Sequence, residues 1–210
     1  MTLEKPGVEM EVKFFLSDLP ALRDRLLSLG AEQKQARTFE KNERFDTPDG
    51  ALALSGRALR LRHDLRGILT FKGPSSIVDG VRVRPEHEVF IDNPDKARLI
   101  LEGLGYEMTV RYEKWRTVYL LNDLFITLDE LPYGHFSEIE GADTALIRAT
   151  AGALALDWDA RIEASYLELF ERLKQSKGLT MRNLTFADFA GITFAGSDLG
   201  VRPADCPFLS

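Results

Sequence analysis

Period-two alternation sets charged residues on one side of strand after strand along this chain. In VEMEVKFFL, the residues Val8, Met10, Val12 and Phe14 alternate with Glu9, Glu11 and Lys13, which is the mark of a strand with one apolar and one charged face. The pattern recurs. ALRLRH sets Arg60 and Arg62 opposite Leu59 and Leu61, and LTFK sets Thr70 and Lys72 opposite Leu69 and Phe71. VRVRPEHEVFI carries Arg82, Arg84, Glu86 and Glu88 on one parity, with Val81, Val83 and Val89 on the other. In RYEKWRTVYLL, Lys114, Arg116 and Val118 share a face; Thr127 and Asp129 alternate with Ile126 and Leu128, and Glu138 and Glu140 flank Ile139. A single such strand is ordinarily the half-wet strand of an antiparallel sheet. Repeated arginine clusters instead suggest bidentate holding of an anion. A sheet curled with this face inward makes a barrel with a charged lumen, whose apolar outside must be covered by helices.

Helices for that cover are present. Ser17 is placed to cap a helix from Leu19 to Leu29, with Gly30 as its stop, and Asn93 followed by Pro94 opens a second through Leu104. Asp143–Leu154 and Ile162–Lys174 form a third and fourth. Pro48-Asp49-Gly50 and Asn122-Asp123 read as hairpin turns. The layout is α+β with antiparallel pairing, and no GxxxxGK or GxGxxG phosphate cradle follows a strand.

A length of 210 residues with 44% hydrophobic and 29% charged residues suits one globular domain, or one domain and a short appendage. The single cysteine, Cys206, excludes an internal disulfide framework and a cysteine-based zinc site. His63, His87 and His135 are isolated and read as surface or hydrogen-bonding residues. No apolar run reaches the length of about 18 residues that a membrane helix needs, and MTLEKPGVEMEVK lacks the apolar core of a signal peptide. The expectation is a cytoplasmic protein without a membrane partner. A net charge of −6 speaks against a double-stranded nucleic-acid partner. It does not exclude a local positive cavity.

The expected inward face balances Glu9, Glu11, Glu86, Glu88, Asp129, Glu138 and Glu140 against Lys13, Arg60, Arg62, Lys72, Arg82, Arg84, Lys114 and Arg116. Confining such ions without ligands is costly. A polyanion with its cations satisfies both sets: the bases hold phosphate oxygens, and the carboxylates take Mg²⁺ or Mn²⁺, which bridge to the phosphates.

In order along residues 8 to about 173, Glu9-x-Glu11-x-Lys13, Arg60-x-Arg62, Lys72, Arg84-x-Glu86-x-Glu88, Lys114-x-Arg116, Asp129 and Glu138-x-Glu140 resemble the CYTH superfamily of triphosphate tunnel metalloenzymes. That resemblance implies an eight-stranded antiparallel tunnel, a closed barrel with flanking helices. It implies metal binding by Glu9, Glu11, Glu138 and Glu140, with Glu88 and Asp129 as further ligands. Lys13, Arg60, Arg62, Lys72, Arg84, Lys114 and Arg116 would grip a triphosphate-containing small molecule, and Glu9, Glu11, Lys13 and Asp129 would be catalytic. The expected activity is a metal-dependent triphosphatase acting on inorganic, nucleoside or thiamine triphosphate. Its alternatives are a class IV adenylyl cyclase, which makes cyclic AMP and pyrophosphate from ATP, and a non-catalytic polyphosphate- or nucleotide-binding module. An RNA 5′-triphosphatase has no basic tail or aromatic platform to support it. Homodimerisation is an expectation of the resemblance.

From Gly178 the composition shifts towards Gly, Ala and Phe, and Leu184, Phe189, Phe194 and Leu199 recur every five residues. So short a series cannot stack into a solenoid alone. The chain therefore divides into a tunnel domain at 1–177 and a tail at 178–210 that packs on the domain or on a partner.

Overall fold

Every stretch singled out for its charged face becomes a strand in the computed structural model, which describes residues 7–206. The outermost ends of the expected domain and tail lie outside the described residues. The strands are β1 (Val8–Leu16), β2 (Glu32–Asp46), β3 (Ala58–His63), β4 (Gly67–Lys72), β5 (Ser76–Val78), β6 (Val81–Ile91), β7 (Glu107–Leu121), β8 (Leu124–Leu131), β9 (Gly134–Glu140) and β10 (Arg161–Ile162). The helices are α1 (Leu19–Ser28), α2 (Ala51–Leu54), α3 (Pro94–Gly103), α4 (Thr144–Ala153) and α5 (Tyr166–Lys177). Hydrogen-bonded neighbours run β1, β9, β8, β7, β2, β3, β4, β6, and β6 pairs back onto β1 from Val8↔Pro85 to Glu11↔Arg82. Eight antiparallel strands thus close into a tunnel, with β5 added to β6 and β10 to β1. No helix among the described residues is long and apolar enough to cross a membrane.

The apolar parity faces outward and is covered as the alternation requires. Val12, Phe14, Leu16, Tyr119, Ile126, Leu128 and Ile139 form one buried cluster with Leu22 and Leu26 of α1 and with Ile147 and Ala151 of α4. Phe45 and Leu61 form another with Ala97 and Leu101 of α3. Helix α3 starts where the sequence places it, with the Asn93 side chain accepting from Lys96 N at 2.9 Å. The Asn122-Asp123 turn is also as expected: both residues have positive φ, 50° and 62°, and they join β7 to β8 as a tight hairpin.

Three local readings need correction. The cap of α1 is Asp18, which accepts from Ala21 N at 2.9 Å; the hydroxyl of Ser17 donates instead to Asp205 at 3.0 Å. Pro48-Asp49-Gly50 is not a hairpin turn. It leads into α2, whose second and third amides, Leu52 N and Ala53 N, donate to the carboxylate of Asp46 at 2.8 and 2.9 Å. The last helix begins at Tyr166 and not at Ile162, because Ser165 and Glu168 form a capping box there, while Arg161 and Ile162 pair with Phe14 and Lys13.

One end of the tunnel is filled. Two residues beyond Lys13, Asp129 and Glu138 on the same inward faces stand Phe15, Leu131 and Phe136, and there the interior becomes apolar. Leu131 and Phe136 are buried with Tyr133, Tyr166, Leu169, Phe170 and Leu173, and with Leu184, Phe189 and Leu199 from beyond α5; Phe15 packs against them. The rings interlock edge to face, Phe15 on Phe136 at 5.3 Å and Phe136 on Tyr166 at 5.2 Å. Gly134, the first residue of β9, permits this approach: a Cβ there would lie 2.7 Å from the Phe15 ring. Past α5 the chain bonds along the part of β7 that β8 leaves free, with Leu184 N donating to Arg111 O and Glu113 N to Leu184 O, both at 2.9 Å.

Candidate active site in the tunnel lumen

The alternation of β1, β3, β4, β6, β7 and β9 delivers Glu9, Glu11, Lys13, Arg60, Arg62, Lys72, Arg82, Arg84, Glu86, Glu88, Lys114, Arg116, Glu138 and Glu140 to one cavity inside the ring. The cavity encloses about 110 Å³, several times what one water molecule needs. Two larger clefts, about 650 and 490 Å³, open on the outer surface around Arg161. The strand-face charges converge in neither.

Inside the lumen, acids and bases interleave. Lys72 Nζ sits 2.7 Å from Glu9 and 2.8 Å from Glu86. Arg116 bridges Asp129 and Glu138, its Nε donating to Asp129 at 2.6 Å and its Nη2 to Glu138 at 2.6 Å. Lys13 lies 3.3 Å from Glu138 and Arg60 3.2 Å from Glu88. Lys114 is held between Asp129 at 3.1 Å and Glu40 at 3.5 Å.

These neighbours set the proton affinities of the carboxylates. Burial pushes Glu138 up, but Lys13, Arg116 and Lys114 more than offset it and hold the group well below its usual range. Glu11 is the reverse case: burial raises it, and the neighbouring charges of Glu138 and Glu9 raise it further. Glu11 stands directly across from Glu140, and Lys13 across from Glu138. The β1/β9 wall is therefore a carboxylate surface that is short of positive charge at Glu11.

Asp129 is placed differently from the rest. It is completely buried, behind the lumen wall, and its oxygens accept from Arg116, Lys114 and the hydroxyl of Tyr166, the last at 2.8 Å. Tyr166 also lies under two ammonium groups, with Lys13 4.4 Å and Lys114 5.3 Å from its ring centroid.

Sequence reasoning missed the contribution of β2. Glu40, Asn42 and Arg44 occupy its inward parity, and Arg44 lines the cavity. Glu40 titrates at about 2: burial raises it, and Lys114, Arg116, Arg62 and Arg60 lower it by more. No alternation announces this strand, because the outward residues Lys41 and Glu43 are charged too, Glu43 being met by Arg111 at 3.0 Å and Arg98 at 3.7 Å. Tyr112 was within reach of the parity rule, two residues before Lys114 on the same face, and it also lines the lumen. Ser165 and Tyr166 reach the lumen from α5, which no local pattern in the sequence shows.

A family model for the CYTH domain matches residues 7–181. The chain belongs to the CYTH domain family. Members of this family act on triphosphate substrates, as adenylyl cyclases or triphosphatases. Adenylate cyclase CyaB of Aeromonas hydrophila is 32% identical over 136 residues, which is 62% of this chain and 67% of that protein. Among solved structures, a candidate adenylate cyclase of Vibrio parahaemolyticus superposes with a TM-score of 0.71 at 26% identity, over 80% of this chain and 99% of that one. The CYTH fold is shared at greater distance by HpAC1 of Hippeastrum, described as showing a dominant triphosphatase activity: TM-score 0.57, 23% identity, 78% of this chain and 95% of that one.

Proposed function

We propose that this CYTH protein is a divalent-metal-dependent phosphohydrolase that cleaves the terminal phosphoryl group from a short triphosphate. The observation that carries this reading is the composition of the lumen: about three-quarters of the lining side chains are ions, and the interior ends on an apolar plug. Such a cavity complements a phosphate chain along most of its wall. Arg60, Arg62, Lys72, Arg84, Lys114, Arg116 and Lys13 bind the phosphate oxygens, exchanging part of their contact with lumen carboxylates for the substrate. Asp129 acts as a positioning residue, fixing Arg116 and Lys114 from behind.

The acidic wall suits Mg²⁺ or Mn²⁺. Among the described residues, no three acidic, histidine or cysteine side chains are gathered closely enough to hold an ion unaided. One or two carboxylates completed by substrate phosphates are what Mg²⁺ ordinarily uses, and Glu11, whose nearest charges include Glu138 and Glu9, supplies them together with Glu140 across from it and Glu9 and Glu138 beside it. Glu88, on β6 next to β1, is engaged with Arg60 and Thr70. When bound, the ion would neutralise phosphate charge and lower the proton affinity of a coordinated water. The lumen side chains hold the chain in line for attack by water, since phosphoryl transfer depends on positioning and charge neutralisation more than on a covalent nucleophile.

A second reading, ATP cyclisation, is favoured by the Aeromonas relative. Incubation with Mg²⁺ or Mn²⁺ and either tripolyphosphate or ATP, with products resolved, separates the two. Orthophosphate release is expected; cyclic AMP with pyrophosphate overturns the hydrolase reading.

A further inference from the structure

Arg44 and Arg84 differ from most of the lumen cations. Lys72, Arg116, Lys114, Lys13 and Arg60 each face a carboxylate within 4 Å, whereas Arg84 has no such ion pair among the described residues and donates to the backbone carbonyl of Gly73, at 2.8 Å. Arg44 makes no ion pair among the described residues, and its Nε, like those of Arg60 and Arg84, is buried without an acceptor. Two residues before Arg44 on the same face, Asn42 is completely buried, and neither end of its amide has a partner. Register places Asn42 opposite Arg62 on β3 and Tyr112 on β7, and Arg44 opposite Arg60.

Buried polar groups are ordinarily satisfied. Guanidinium groups can only donate, so three orphaned Nε atoms in one stretch of lumen wall call for an oxygen-rich anion. Electrostatics agrees with the geometry: burial, with repulsion from Arg60 and Arg84, draws Arg44 below its ordinary range. Burial raises the Tyr112 hydroxyl, but Arg60, Lys114 and Arg44 bring it below its ordinary range. A bound anion removes this strain. Tyr112 also belongs to the apolar plug, so the cluster stands where the charged lumen meets its blind end.

We infer that Arg44, Arg84, Asn42 and Tyr112 form a phosphoryl subsite at the inner end of the lumen, which selects chains of three phosphoryl groups over chains of two. The inference rests on the triphosphate reading of the lumen and adds a chain-length determinant to it. The forked guanidinium of Arg44 takes two oxygens of the innermost group. A diphosphate can sit on the remaining cations without reaching it.

Calorimetric titration of the metal-free protein with tripolyphosphate and with diphosphate tests this. Arg44→Ala is expected to weaken tripolyphosphate by about tenfold and diphosphate by less than about twofold, the size of one lost charged hydrogen-bonding group. Tyr112→Phe keeps the ring in the plug and removes only the hydroxyl; it is expected to weaken tripolyphosphate alone, by about threefold. Equal weakening of both ligands by Arg44→Ala would show a general field effect and overturn the subsite, as would unchanged binding or a wild type that binds neither ligand. Binding is read without turnover. A wild type that binds tripolyphosphate selectively and releases no phosphate with Mg²⁺ therefore sinks the hydrolase reading and leaves the subsite standing.

Discussion

The lumen and the plug are built from the same inward faces of the same strands, two residues apart, and they obey opposite rules. At Lys13, Asp129 and Glu138 the interior holds ions; at Phe15, Leu131 and Phe136 it holds rings and methyl groups. The plug is an ordinary core, stabilised by apolar area removed from water. Compared with an apolar filling of the same space, the lumen adds little to stability. Buried ion pairs roughly break even against desolvation, so the ions are retained for what they bind. The difference teaches which substitutions should damage chemistry and which should damage folding.

The largest effect expected is on turnover. Replacing Glu9 and Glu11 together by Gln should lower triphosphate hydrolysis by about a hundredfold or more while tripolyphosphate binding to the metal-free protein persists. Undiminished turnover would remove these residues from the metal site, and lost binding would show that the two regions are not separable in this way. In the plug, Phe136→Ala should cost about 4 kcal/mol of unfolding free energy, read by denaturant titration, with the activity of the folded fraction nearly preserved.

Acid should find the lumen before the plug. Glu40 titrates near 2 when folded, against 4.5 for an ordinary glutamate, so its stabilisation is complete above about pH 4.5 and is lost as pH falls through about 2. Glu40→Gln should flatten that acid limb by about 3 kcal/mol, whereas Phe136→Ala should shift the whole stability profile without changing its shape. The smallest effect is expected at the edge of the structure. Asp205 accepts from the backbone N–H groups of Ser17 and Asp18 at 2.8 and 2.7 Å, and Asp205→Ala should cost about 1 kcal/mol, read as a modest fall in melting temperature. A large fall would mean that the segment after α5 holds the plug more tightly than the plug holds itself.

The same comparison explains what could be read from sequence. Seven of the eight ring strands announce themselves because one face is charged and the other is not, as in Glu9, Glu11 and Lys13 against Met10, Val12 and Phe14. The eighth, β2, is silent: Glu40, Asn42 and Arg44 point inward, and Lys41 and Glu43 are charged as well, since Arg98 of α3 and Arg111 of β7 await Glu43 on the outside. The plug is invisible to a parity rule that equates inward with charged. Phe15 and Phe136 look out of place until α5, which starts 151 residues after Phe15 and 30 after Phe136, arrives to cover them. What sequence could not supply at the site follows from the same cause, for Arg44 lies on the silent strand and Tyr166 on the distant helix.

A tube with one door is not a pipe. Because the plug closes the inner end, whatever enters the lumen leaves by the way it came, and the last group in is the first out. Incoming substrate and outgoing product contend for a single threshold, so the product left deepest in the lumen competes directly with the next molecule to arrive.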